Sequence, residues 1–171
     1  MTRSYKPKEP VYFEQRTGIF IDVQNMFYSA KYKYRGKIDY QKLLTHVARG
    51  RKVVRALAYA VTTPEIDQSG FINVLEDLGI EVKIKELKLR PDGTAKGDWD
   101  MGIAIDSVAL CDKLDVVALI SGDGDFTALV EMLKAKGVRV EVYSFPANTA
   151  EELKQAATKF FPLDEKILFE G

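Results

Sequence analysis

The sequence predicts an α/β protein, a three-layer α/β/α sandwich around a mostly parallel central sheet. Three observations predict it. Short apolar runs, residues 18–23 and 116–120 among them, have strand length and are apolar at consecutive positions, as strands covered on both faces are. Segments with helical periodicity separate these runs, the alternation that builds strand–helix–strand crossovers. The 171 residues, 46% hydrophobic and 29% charged, have the make-up of an ordinary globular domain with a well-buried core.

Residues 1–16 are polar, basic and proline-containing and read as a loose arm; residues 17–171 read as a single domain. The run Gly18-Ile19-Phe20-Ile21-Asp22-Val23 is a buried strand that ends at an acid. Helical patterns follow over residues 24–32 and 40–48, then a strand over 51–61 with Val53, Val54, Leu57 and Tyr59. Pro64 suits a helix start, and Ile66, Val74, Leu75 and Leu78 form an apolar stripe that Gly79 stops. Residues 80–87 alternate apolar and charged side chains, as a half-exposed strand does, and 90–97 form a loop around Pro91-Asp92-Gly93. A helix over 98–112 leads into the strand at 115–120. A helix over 126–136 then ends at Gly137, a natural left-handed cap. A strand over 138–144 and a last helix over 149–159 precede Pro162 and the apolar tail Ile167-Leu168-Phe169.

Composition removes several classes of function. The 25 Lys and Arg balance 25 Asp and Glu, so no overall field attracts a polyanion and nucleic-acid binding would need a local patch. Cys111 is the only cysteine, which rules out an intramolecular disulfide and reads as a buried, inert thiol. His46 is the only histidine, and its place near a helix end suits a surface role. Together they exclude the usual His/Cys zinc sets and disfavour Ser-His-Asp or Cys-His catalysis. No apolar stretch is long enough for a bilayer and the start has no signal-peptide core, so a reducing cytoplasm is the expected location.

What remains is a set of acids. In parallel sheets, ligands bind beyond the carboxyl ends of the strands, where the strand order reverses. Asp22 ends the first strand there, and Ser121-Gly122-Asp123-Gly124-Asp125-Phe126 follows the strand at 115–120. Asp98-Trp99-Asp100 opens the intervening helix, whose N-terminal end can approach the same crevice. Asp106 lies partly around that helix. Converging carboxylates repel one another and need a cation, and a set of oxygen ligands alone suits Mg²⁺ or Mn²⁺. Gly122 and Gly124 would let backbone N–H groups approach a phosphate. Beside this stands a plainer reading, in which Asp125 and Asp98 merely cap helices. Asp22 fits that reading less well, and the cluster as a whole favours a metal site.

At these residues the sequence resembles the NYN domains of the LabA-like group, relatives of the PIN-domain ribonucleases. The resemblance is carried by Ile21-Asp22-Val23-Gln24-Asn25, by Lys96-Gly97-Asp98-Trp99-Asp100 leading to Ile103-Ala104-Ile105-Asp106, and by Ser121 to Phe126 with Gly137-Val138-Arg139-Val140 beyond. It spans roughly residues 17–160. It implies a PIN-like fold and metal-dependent cleavage of RNA, with Mg²⁺ or Mn²⁺ activating water for in-line attack on a phosphodiester. Asp22, Asp100 and Asp123 fall on the family's catalytic metal-binding acids and Asp125 on a further acid of the pocket, which Asn25, Ser121 and Gly122 line. The family has one variable residue between Lys-Gly and the aspartate where this chain has Asp98 and Trp99, so either Asp98 or Asp100 can be the match.

For the substrate, Lys31-Tyr32-Lys33-Tyr34-Arg35-Gly36-Lys37 interleaves cations with aromatics, as binders of single-stranded RNA do. Lys83, Lys85, Lys88, Arg90 and Lys96 form a second candidate track. Both stretches also fit solvated faces, with the tyrosines in the core. Trp99 stacks a base or anchors its helix; packing is the expected role. A non-catalytic RNA- or partner-binding module is the main rival to a ribonuclease, and a homodimer through the arm or the 167–169 tail is a further expectation. Haloacid-dehalogenase-like phosphatases would need a second aspartate at Gln24, Toprim domains a glutamate after the first strand, and dinucleotide-binding enzymes a glycine-rich turn there. None is present.

Overall fold

The computed structural model describes residues 14–89, 95–96 and 99–170. Most of the expected arm, the turn at Pro91-Asp92-Gly93, Arg90 and Asp98 lie outside the described residues. The side chains of Lys88 and Lys96 do too.

In chain order the elements are β1 (Arg16–Asp22), α1 (Val23–Tyr34), α2 (Tyr40–Ala48), β2 (Lys52–Thr62), α3 (Ser69–Asp77), β3 (Glu81–Glu86), β4 (Lys88–Leu89), β5 (Ala95–Lys96), α4 (Asp100–Leu110), β6 (Val116–Ile120), α5 (Thr127–Ala135), β7 (Arg139–Ser144), α6 (Glu151–Ala156) and β8 (Lys159–Pro162). Six strands form one sheet in the order β3-β2-β1-β6-β7-β8, and every neighbouring pair is parallel. The short β4–β5 pair is antiparallel and separate. The chain thus winds outward in one direction through β2 and β3 and in the other through β6, β7 and β8. The order reverses between β1 and β6.

Both faces of the sheet are covered. Ile19, Ile21, Ala58 and Ile120 point into one core with Met26 of α1, Leu43 and Val47 of α2, and Leu75 of α3. Phe20, Leu57, Val117 and Leu119 point the other way, against Ile103 of α4, Leu129 and Val130 of α5, and Leu153 of α6. The period-2 alternation of side chains along each strand divides these two cores, and their apolar residues on both faces explain the continuous runs in β1 and β6. Each fully buried Ile, Leu or Phe contributes about 1.5–3 kcal/mol relative to exposure. Together the layers make the three-layer α/β/α sandwich that the sequence predicts.

Local differences have physical reasons. Helix α3 begins at Ser69 because Asp67 accepts the Ser69 N–H at 2.9 Å, an Asx turn, leaving Pro64 in the preceding turn. Only Leu75 of its stripe is fully buried, while Val74 is exposed. Gly137 has φ +87°, the left-handed cap expected of it. The helix expected over 149–159 stops at Ala156, and residues 159–162 instead add strand β8 beside β7, with Phe161 opposite Tyr143. Ile167 and Leu168 are buried in the chain's own core, and the Leu168 backbone bridges to Ile38. Of the tail offered as a dimer contact, only Phe169 is exposed. Cys111 is buried, and burial pushes its thiol up from the ordinary value. His46 is exposed in the last turn of α2.

A charged pair sits inside the fold. Glu141 of β7 is 1% exposed and takes a two-pronged ion pair from Arg51, at 2.7 and 2.9 Å. Arg139 and the Tyr143 hydroxyl donate to the same carboxylate at 2.9 and 2.7 Å. Arg51 also donates to the carbonyls of Val47 and Ala48, so it closes the end of α2. Burial acts most strongly on Glu141 and raises its pKa, but the donors from Arg51, Arg139 and Tyr143 together outweigh it and hold the group below the usual glutamate value. A carboxylate lowered in the fold contributes stability above its unfolded pKa and loses it as pH falls through the folded value. Thermal unfolding should therefore show an acid limb below the usual glutamate range. Glu141→Gln should flatten that limb and cost about 3–5 kcal/mol, since Arg51 loses its buried partner.

Candidate metal centre

Parallel pairing sets Ile21 of β1 opposite Ile120 of β6, so the next residues of both strands, Asp22 and Ser121, emerge side by side. This is the point where the strand order reverses, and a crevice opens beyond it. A cavity of about 480 Å³ occupies the place, lined in part by Asp22, Asn25, Asp100 and Asp123.

The sequence around Asp22 builds a rigid corner. The Asp22 carboxylate accepts the Asn25 N–H at 3.2 Å and so caps α1, while its other oxygen accepts the Ser121 hydroxyl at 2.9 Å. The Ser121 Oγ in turn accepts the Asp123 N–H at 3.2 Å, and the Asn25 Oδ1 accepts the Gly122 N–H at 2.9 Å. Ser121 is fully buried and spends its one proton and a lone pair on these two acids. Gly122 has no room for a side chain: a Cβ there would lie 2.3 Å from the Asn148 carbonyl oxygen. At Gly124 a Cβ would lie 2.6 Å from the Glu152 carboxylate. Both glycines therefore let neighbouring chain approach closely. Burial, with the nearby Asp22 charge, pushes the Tyr40 hydroxyl well above its ordinary range, so Tyr40 stays neutral.

The acids themselves arrive from two loops. Carboxylate oxygens of Asp100, Asp123 and Asp125 lie within 4.8 Å of one another. Asp100 is the first residue of α4, whose N-cap position is held by Trp99. Asp123 is a cap of another kind: it accepts the Asp125 N–H at 2.9 Å and opens the single 3₁₀ turn Gly124–Phe126 ahead of α5. Asp125 sits within that turn, exposed, and not at the cap position of the plainer reading. Three carboxylates at this spacing, with oxygen donors alone, fit a hard divalent ion such as Mg²⁺ or Mn²⁺. Asp22 lines the same cavity, but its carboxylate is held at Ser121 and Asn25 and does not join the group of three.

Other expected site residues disperse. Six residues on from Asp100, Asp106 turns about 240° around α4. It accepts the Tyr59 hydroxyl at 2.8 Å and the Lys83 ammonium at 2.6 Å, and it does not line the cavity. Lys83 is thereby spent on an ion pair, and Lys85 stands 4.6 Å over the Trp99 ring. Trp99 packs as expected: its Nε1 donates to the Ala60 carbonyl at 2.8 Å and its ring meets Tyr59 edge-on, though one side still lines the cavity. In the basic stretch, Tyr32 lines the cavity while Tyr34 packs at 5.4 Å against Phe145. Lys31 lies over Phe27 and Lys33 over Tyr34, both exposed, and Arg35 ends α1 in the left-handed conformation at φ 49°. Gln24, Tyr28, Ser29 and Asn148 also line the cavity and were not anticipated. Tyr28 had a signal, since it precedes Tyr32 by one helical turn. Asn148 had only the general rule that loops after parallel strands meet at one edge.

Comparison with known proteins agrees with this geometry. Residues 16–164 match the NYN domain family. The chain is 33% identical over 158 residues to the low amplitude and bright protein LabA of Synechococcus elongatus, covering 88% of this chain and 84% of that protein. It is also similar to a crystal structure of a protein of unknown function from Vibrio parahaemolyticus, with 35% identity and a TM-score of 0.85 over 94% of this chain and 99% of that one. With the match spanning nearly the whole chain, and its acids gathered where β1 and β6 part, this protein belongs to the NYN domain family and is LabA-like.

Proposed function

We propose that this chain is a metal-dependent ribonuclease, with residues 17–171 acting as one domain. The observation that carries the reading is the convergence of Asp100, Asp123 and Asp125 within 4.8 Å beside a cavity that Asp22 also lines. Membership of a PIN-like nuclease family supports hydrolysis of a phosphodiester and binding of RNA. Among the described residues no helix is long and apolar enough to cross a membrane.

In this reading Asp100, Asp123 and Asp125 hold Mg²⁺ or Mn²⁺, with Asp22 completing the acidic wall. The ion supplies Lewis-acid charge for a phosphate oxygen and for the attacking water. The chain's own groups do the positioning. The Ser121 hydroxyl fixes one oxygen of Asp22 and the N–H of Asp123, so the acids from β1 and β6 keep one spacing. Asn25 holds the Gly122 N–H, which settles the loop between Ser121 and Asp125. The side-chain-free faces of Gly122 and Gly124 keep that loop close to its neighbours. Lys31 and Lys33 on α1 and Arg35 at its end supply positive charge for the strand's phosphates.

A second reading has its own support. Asp22 and Asp123 both cap turns, so they serve the fold even without a metal, as a non-catalytic RNA- or partner-binding module would need. Cleavage of a labelled single-stranded RNA in Mn²⁺ and in EDTA separates the two. The ribonuclease reading expects Mn²⁺-dependent cleavage that falls by roughly two orders of magnitude in Asp100→Asn. No cleavage by the unaltered chain would reject it in favour of the binding module, and cleavage that survives both EDTA and Asp100→Asn would come from another ribonuclease.

A further inference from the structure

Helix α1 keeps large rings in water: Tyr28 is 58% exposed and Tyr32 is 89% exposed. Standing one helical turn apart, they share a face of the helix. Both line the cavity that holds Asp22, Asp100 and Asp123. Their exposure is not what the fold asks of a tyrosine in this stretch. Tyr34, two residues on, is half-buried and packs against Phe145. Trp99, across the cavity, is pinned by its Nε1 bond to Ala60 and by the Tyr59 ring. Tyr28, whose ring meets Phe27 edge-on at 5.7 Å, and Tyr32 therefore keep much of their rings open to solvent at the site itself.

We propose that Tyr28 and Tyr32 form a stacking site for unpaired bases of single-stranded RNA next to the acid cluster, so that the centre takes single strands and rejects continuous duplex. The proposal rests on the nucleic-acid reading above and names its substrate class. An acid cluster repels a polyanion, so affinity for the strand has to come from elsewhere on the cavity wall. Aromatic faces supply it without reading sequence, because every base offers a π face of its own. Positive charge runs along the same helix: the Lys31 ammonium sits 5.6 Å from the Phe27 ring centre, one turn from Tyr28 and next to Tyr32. In a duplex each base is already stacked and paired, so its face cannot meet a ring on α1. The two tyrosines would thus place the phosphate between unstacked nucleotides at the acids.

The test is binding in EDTA, where the metal is withheld, of a single-stranded RNA carrying the fluorescent base 2-aminopurine and of the same strand annealed to its complement. The full chain is compared with a Tyr28→Ala/Tyr32→Ala variant and a Tyr28→Phe/Tyr32→Phe variant. Single-strand affinity should fall by roughly tenfold or more in the alanine variant and return in the phenylalanine variant, with the quenching of 2-aminopurine following it. The duplex should bind more weakly to the unaltered chain. Equal binding by the alanine variant, equal binding of duplex, or no binding by the unaltered chain overturns the proposal. So does a dimer in sedimentation that the alanine variant loses, because a second copy would then cover the rings. Ring-dependent binding without Mn²⁺-dependent cleavage would retain the stacking site and remove the ribonuclease. Mn²⁺-dependent cleavage with ring-independent binding would do the reverse.

Discussion

The parallel pairing of β1 with β6 decides where Asp22 and the loop that carries Asp123 and Asp125 stand. Ile21 faces Ile120 across that pair, which brings Asp22 and Ser121 out together at the place where the strand order turns back. A slip of one residue would send Ile19 and Ile21 to the other core and point Asp22 away from Ser121. The register is held by burial on both faces, since Ile19, Phe20 and Ile21 are each fully enclosed and divide between the two cores. The catalytic geometry proposed for the centre is thus a by-product of how two apolar strands fit their helices. The Ser121 hydroxyl then joins the two ends, giving its proton to Asp22 and accepting the Asp123 N–H.

The capping and ligand readings of these aspartates turn out not to compete. Asp22 caps α1 through the Asn25 amide, and Asp123 caps the 3₁₀ turn through the Asp125 amide, yet both carboxylates line the cavity. A carboxylate has two oxygens and about four lone-pair directions, so one can hold the backbone while another faces the crevice. Capping also fixes the side chain in one rotamer, which removes the entropy cost of ordering it around an ion. Asp100 differs in position, standing in the first turn of α4 rather than at its N-cap.

Much of this was legible in the sequence for definite reasons. The strands β1 and β6 are apolar at successive positions, which only a doubly covered strand tolerates, and the acids stand immediately after them. Helix α2 runs over the residues its pattern marks, and Gly137 takes the left-handed cap. Less was legible where long-range packing decides. Residues 159–162 carry the aromatic pair Phe160-Phe161 beside a helical pattern, and only the free edge of β7 makes them a strand. Asp106 looks like a fourth acid of the site until helical phase and the Tyr59 and Lys83 partners turn it away. Ile167 and Leu168 look like an exposed apolar tail but close the core beneath α2. Asn148 reaches the cavity from the loop after β7, beyond anything a local motif encodes.

In the proposed centre the carboxylates of Asp100, Asp123 and Asp125 together bind one hard divalent ion. Calorimetric titration of Mn²⁺ into the full chain tests this, beside Asp123→Asn and the surface control Asp112→Asn, whose parent side chain is 83% exposed and lies 3.9 Å from the Lys136 ammonium. Saturable binding should weaken by roughly tenfold or more in Asp123→Asn and stay unchanged in Asp112→Asn. Equal Mn²⁺ affinity in the unaltered chain and Asp123→Asn would contradict it.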